Sequence, residues 1–211
     1  MKKIFALTIA ALLVLGVVGG GTWAYFQDTE SSTNNSLTAG TLDLTIEGGN
    51  AAVTTFSASN VYPGQSGSGN STLKNVGSLP GNLTIATANL INTESSGGTE
   101  FEGDGGSGEL GGVAKMAIWI DVGSQNNTYD AGTDIGLKSD GTTYTSGALQ
   151  YDTIDNYAGK TWTNVLTNVV QNQVNEFNVS WQVPYGSSVD NSYQGDAVSI
   201  DFQFTLVQYN S

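Results

Sequence analysis

DAVSIDFQFTLVQY, Asp196–Tyr209, decides the fold class. Its apolar residues fall on every second position: Val198, Ile200, Phe202, Phe204 and Leu206. Ser199, Asp201, Gln203 and Thr205 stand between them. Successive side chains of a strand point to opposite faces, so this is a strand with one apolar and one wet face. The period of two recurs upstream. Leu42, Leu44 and Ile46 share a face in GTLDLTIEG, as do Leu83 and Ile85 in NLTIATANLI. Phe177, Val179, Trp181 and Val183 do so in EFNVSWQVP. AAVTTFSAS and GALQYDTI are weaker or shorter examples, and Val113–Val122 is almost continuously apolar, as a strand buried on both faces would be.

Turn residues separate these runs. Tyr62-Pro63-Gly64-Gln65 and Leu79-Pro80-Gly81-Asn82 are turn signals, and Ser139-Asp140-Gly141 reads as a hairpin tip. Residues 94–112 form a Gly-rich acidic loop with little apolar content. Val165, Leu166, Val169 and Val170 are spaced as a short amphipathic helix or as loop and strand. Short strands with turns between them and little helix predict an all-β protein, a β-sandwich of about eight strands with long Gly-rich loops. Periodicity alone leaves jelly-roll and immunoglobulin-like topologies open.

The chain has 211 residues, enough for one domain with a substantial core. Met1-Lys2-Lys3 is a basic start, Ile4–Val18 an apolar run, and Thr22-Trp23-Ala24 offers small residues at the −3 and −1 positions of a cut after Ala24. A secretory signal peptide over residues 1–24 is expected. An uncleaved anchor would need about 20 apolar residues, and this run is shorter and broken by glycine. A type IV pilin leader would place a charged cut site before the apolar run, and none is there.

The cut would remove two of six lysines and none of 19 acids, leaving 4 − 19 = −15. Such a surface repels nucleic acid and anionic lipid, so nucleic acid is excluded as a partner and a membrane is expected only during export. The chain has no cysteine, which excludes thiol catalysis, disulfides and thiolate metal sites. It has no histidine either, which excludes Ser-His-Asp triads and HExxH zinc centres.

Gly19–Leu44, GGGTWAYFQDTESSTNNSLTAGTLDL, resembles the N-terminus of the TasA/camelysin family. Tyr193–Asp196 with the closing strand, and the turn Val61–Gly64, are similar to the same family. The resemblance implies a jelly-roll-like sandwich over residues 38–211, secreted through a dedicated signal peptidase. It also implies cell-surface filaments or pili of a biofilm matrix, a head-to-tail homopolymer with other matrix fibres as further partners. In such fibres the freed segment 25–37 of one subunit adds a strand to the next. Residues Tyr25, Phe26, Asp28, Thr29, Ser31 and Thr33 are the donor candidates, with Phe26 as principal apolar anchor. Leu42, Leu44, Ile200, Phe202 and Phe204 are the expected lining of the acceptor groove. A strand-length segment that cannot fold alone supplies both hydrogen bonds and side chains to an open sheet edge.

Camelysin-like proteins carry a metalloprotease label, but zinc proteolysis uses histidine ligands, so no enzyme is expected. Asp121, Asn126, Asp130 and Asp134 gather hard oxygens that calcium could use; the rival is an Asx-rich loop that satisfies its own backbone. Trp119, Trp162 and Trp181 could stack on sugars in a carbohydrate-binding module, the alternative function; Trp119 and Trp181 read more readily as core. Sequons at Asn34, Asn70, Asn82, Asn126 and Asn178 would mark exposed positions if glycosylated.

Overall fold

The computed structural model describes residues 41–48, 53–94, 108–185, 193 and 195–209. The leader and the donor segment lie outside the described residues. Gly40–Ser211 forms one compact unit. Two antiparallel sheets make it an all-β sandwich, as the alternation predicts. One sheet runs β1-β3-β10-β5-β6-β7, with β8 also pairing β5; the other runs β2-β11-β4-β9. The long strands are β2 (Val53–Ser59), β3 (Ser66–Asn75), β4 (Gly81–Thr93), β5 (Lys115–Asp121), β9 (Thr161–Val169), β10 (Val174–Gln182) and β11 (Ala197–Gln208). The short ones are β1 (Leu44–Ile46), β6 (Ile135–Leu137), β7 (Thr143–Tyr144) and β8 (Asp152–Thr153). Among the described residues, no helix is long and apolar enough to cross a membrane.

The closing strand β11 behaves as its sequence dictates. Val198, Ile200, Phe202 and Phe204 are buried, and Asp201 and Gln203 face outward. Phe177 of β10 meets Phe202 and Phe204 across the two sheets, with ring centroids 4.9 and 5.0 Å apart. β5 is buried from Met116 to Asp121. Its Met116, Ile118 and Ile120 join the core, while Trp119 stands on the other face, opposite Gly136 and Asn178. The turn Tyr62–Gln65 closes with Gln65 N–H donating to Tyr62 O at 3.0 Å, with Gly64 at φ +85°. That φ is where glycine alone carries no Cβ penalty.

Three segments add to the sequence reading. Of the two readings left open around Val165–Val170, the strand holds: Thr161–Val169 is β9. Its buried residues are Trp162, Val165, Leu166 and Val169, a helix-like spacing. Bulges create that spacing. Ile85 pairs with Trp162, Leu83 with Leu166, and Gly81 with Val169, so β9 carries extra residues in each interval. Asn164 and Asn168 take the left-handed conformation, φ 53° and 55°, that asparagine tolerates. Within the acidic loop, Leu110–Val113 forms a short helix, α1, with Leu110 fully buried. Third, Ser66–Asn75, polar and glycine-rich, is a regular ten-residue strand.

Asn75, fully buried, closes one end. Its Nδ2 donates to Leu79 O at 2.9 Å and to Val169 O at 2.8 Å, and its Oδ1 accepts from Gly77 N–H at 2.9 Å. The β3 strand of one sheet is thereby tied to the β9 strand of the other.

Candidate functional site

The sandwich is open along one side, where β3 and β2 are the rims of the two sheets. β3 pairs with β10 without a register break, from Ser66↔Gln182 to Lys74↔Val174. On its other edge β1 covers only Leu73–Asn75. Glu47 extends that cover by one residue: its N–H donates to Thr72 O, and Thr72 N–H donates to its Oε1, both at 3.0 Å. Beyond this, no strand among the described residues pairs with the outer edge of Ser66–Asn70. Such an edge presents backbone donors and acceptors to any extended peptide.

Behind the edge lies a cavity of about 120 Å³, lined by Phe56, Phe177, Val179 and Phe202, with Gly69–Ser71 and Thr55 at its margin. The inward positions of β3 explain it. They are Gly67, Gly69 and Ser71, which fill little space, whereas the next, Leu73, is buried. A Cβ on Gly69 would meet nothing within 4 Å. Gly67 is occupied differently, because a Cβ there would stand 2.7 Å from the Trp181 indole. Trp181 in turn packs edge-on to Phe56 at 6.5 Å. An apolar cavity of about 150 Å³ takes a benzene ring, so this one suits a single aromatic side chain.

Of the expected groove residues, Phe202 reaches the cavity. Ile200 and Phe204 lie in the closed core, Leu44 packs against that core, and Leu42 is exposed ahead of β1. Sequence reasoning missed Gly67–Ser71, because a run without apolar residues gives no period. Its one signal is the alternation of glycine with serine and asparagine. Asp201, on the outer face of β11, braces the β2 rim: Thr55 Oγ1 donates to its Oδ1 at 2.6 Å and Asn89 Nδ2 to its Oδ2 at 2.8 Å. The Thr55 bond, then the Asn89 bond, hold its carboxyl below the usual carboxylate range.

The Asp121–Asp134 loop satisfies its own backbone. Asp121 accepts N–H bonds from Gln125 and Asn127, both at 2.9 Å. Asp134 accepts them from Val122 at 3.1 Å and Asp130 at 2.8 Å. Asp130 Oδ2 accepts from Ser124 Oγ and Asn126 Nδ2, and Asn126 Oδ1 accepts from Thr128 N–H. Calcium would have to take these oxygens from donors already in place.

Among the described residues, one group of three carboxylates converges. Oxygens of Glu94, Glu109 and Asp196 lie within 4.8 Å of one another. They are hard donors, suited to calcium or magnesium rather than to a histidine-built catalytic zinc centre. Trp119 and Trp162 are buried, and Trp162 donates Nε1–H to Lys138 O at 2.9 Å, so neither offers a sugar platform. Of the sequons, Asn70 and Asn126 are exposed, Asn82 is half-buried, Asn178 is buried, and Asn34 lies outside the described residues. Asn178 Nδ2 donates to Glu176 O, a position with no room for a glycan in the folded chain.

The profile of a protein family described as camelysin metallo-endopeptidase matches residues 1–211. The major biofilm matrix component of Bacillus subtilis strain 168 is 29% identical over 240 residues, covering 100% of this chain and 89% of that protein.

Proposed function

The chain belongs to the camelysin metallo-endopeptidase family, and from that premise we propose that it is a structural subunit of an extracellular biofilm matrix, not a peptidase. Subunits join head to tail: Tyr25–Ser36 of one copy lies as an added strand along Ser66–Asn70 of the next. The open β3 edge with a ring-sized cavity behind it is the observation that carries this reading. The matrix relative supports it, and so does the absence of histidine and cysteine, which leaves no ligands for a catalytic zinc of the usual kind. A head-to-tail contact does not close on itself and therefore propagates. Twelve extended residues reach about 40 Å, ample for the edge.

The cavity also chooses a face of the donor. Apolarity favours Phe26, but Phe26 shares its face with Asp28 and Glu30. Tyr25 shares its face with Gln27, Thr29, Ser31 and Thr33, none charged. Buried carboxylates without partners are costly, so the uncharged face turns inward and Tyr25 fills the cavity with its hydroxyl at the mouth. One anchor suffices, since Gly67 is already covered by Trp181. The polar remainder of the donor meets a Ser/Gly edge of matching character.

The chain has no native cysteine, which makes cross-linking decisive. Paired variants, Gly69→Cys with Tyr25→Cys or with Phe26→Cys, are secreted, assembled and oxidised. A ladder of covalent oligomers is expected from the Tyr25→Cys pair. Filaments without a ladder from either pair would place the donor elsewhere, and failure of the parent protein to form filaments would end the structural reading.

A further inference from the structure

A second concavity lies at the other end of the seven-stranded sheet. It has a volume of about 290 Å³ and sits between the β6–β7 hairpin, Lys138–Asp140, and the segment Gln150–Asp152 that leads into β8. Its walls are fixed. Lys138 N–H donates to Thr142 O and its carbonyl accepts from Trp162 Nε1. Tyr151 is pinned through its hydroxyl to Ser180 Oγ at 2.8 Å, and Gln150 N–H donates to Tyr144 OH at 2.8 Å. Asp152 is held by Ser139 Oγ at 2.5 Å and Asn156 Nδ2 at 2.9 Å. The Ser139 bond is the main reason its carboxyl stays below the usual range, so it is ionised at neutral pH.

Several groups at this site have no hydrogen-bond partner among the described residues, unlike those of the Asp121–Asp134 loop, although the Lys138 charge acts on the nearby Asp140. Lys138 Nζ forms no ion pair; its neighbour is the Tyr144 ring, 5.6 Å to the centroid. Asp140 takes both of its Thr142 bonds on Oδ1, which leaves Oδ2 to the cleft. The side-chain amide of Gln150, an exposed residue, makes no internal bond. A cation, a carboxylate oxygen and an amide thus present donors and acceptors in alternation around one space, beside the half-buried ring of Tyr151. Vicinal hydroxyls are donors and acceptors at once, and sugar C–H faces lie against aromatic rings. Lys138, Asp140 and Asp152 sum to −1, which disfavours anionic ligands.

We propose that this cleft binds neutral saccharides. It does not depend on the assembly reading, because β10 and β5 separate it from the β3 edge in the sheet order. If subunits do polymerise through that edge, every one still displays the cleft, and a weak single site gains about 10²–10⁴ in avidity along a filament.

The test uses the secreted, isotope-labelled protein titrated with malto-, cello- and mannohexaose and with hexagalacturonate, read by amide chemical shifts. At least one neutral hexasaccharide should shift Lys138–Asp140 and Gln150–Asp152, saturating at about millimolar concentration, as expected of a single small site. Gln150→Ala and, separately, Lys138→Gln should each weaken binding about tenfold, the loss expected for one charged or desolvated hydrogen bond. Gln150→Ala should leave the thermal midpoint in place, and Lys138→Gln should move it only slightly, by the loss of its contact with the Tyr144 ring. The proposal is overturned if no neutral hexasaccharide shifts these amides, if the uronate binds as well, or if both variants bind as the parent does.

Discussion

The two sheets end in edge strands that are treated in opposite ways. β9, at the rim of the four-stranded sheet, is broken twice by bulges, with Asn164 and Asn168 in the left-handed conformation. Such an edge is twisted and irregular, and a flat partner cannot pair along it. β3 keeps register with β10 without a break from Ser66 to Lys74, and its outer edge over Ser66–Asn70 is uninterrupted and without large side chains. One edge is blunted and the other is left pairable. A chain that avoided pairing everywhere would blunt both, and the contrast fits the proposal that β3 is the assembly edge.

The heaviest blow to this contrast is removal of the donor. Deleting Tyr25–Ser36 should leave a folded, soluble monomer, by circular dichroism, that forms no filaments in electron micrographs. Filaments of unchanged repeat from the truncated protein would sink the donor strand outright. Next in size is Gly69→Leu, which places a side chain in the empty cavity. Nothing lies within 4 Å of its Cβ, so the thermal midpoint should hold or rise, while assembly measured by light scattering should slow at least about tenfold by self-plugging of the site. Within the donor, Tyr25→Asp should impair assembly more than Phe26→Asp; the reverse order would mean that the charged face turns inward.

On the blunted edge, Asn168→Ala should cost up to about 1 kcal/mol in urea unfolding, because alanine adopts the left-handed conformation less readily than asparagine. Asn168→Gly should cost less, and neither should change filament yield. The smallest effect is a pH dependence at the β2 rim. Asp201 titrates below its ordinary value, so its contribution is fully present above about pH 3.9, the unfolded carboxylate value, and is lost as pH falls through the lower folded one. Asp201→Asn should flatten the acid limb by lowering stability slightly at neutral pH, where the ionised carboxylate accepts from Thr55 and Asn89, and should leave stability at the acid end nearly unchanged.

Legibility followed side-chain size. β11 and β10 were readable because large apolar residues alternate with polar ones, and β5 because it is apolar throughout. β9 is readable as apolar but not as strand rather than helix, since its bulges turn a period of two into three and four. β3 had no period at all: Ser66, Gly67, Ser68, Gly69 and Asn70 carry nothing that burial could select, so only pairing with β10 makes them a strand. The site was therefore the least legible part of the fold. A cavity left by small residues is written in the sequence as missing side chains. Ile200 and Phe204 are visible in the sequence because the core holds them, while the small residues of the β3 edge are silent.

Trp181, lying over Gly67 and against Phe56, one of the cavity's walls, gives the molecule its own optical reporter. Trp119 and Trp162 are buried, and Trp23 falls in the segment that leader cleavage would remove. Trp181 is then the indole whose hydration changes when a strand arrives. Polymerisation through the β3 edge should shift tryptophan emission to the blue with the kinetics of cavity filling, against a constant background from the other two. Subunits that merely associate sideways would grow in size without that change of colour.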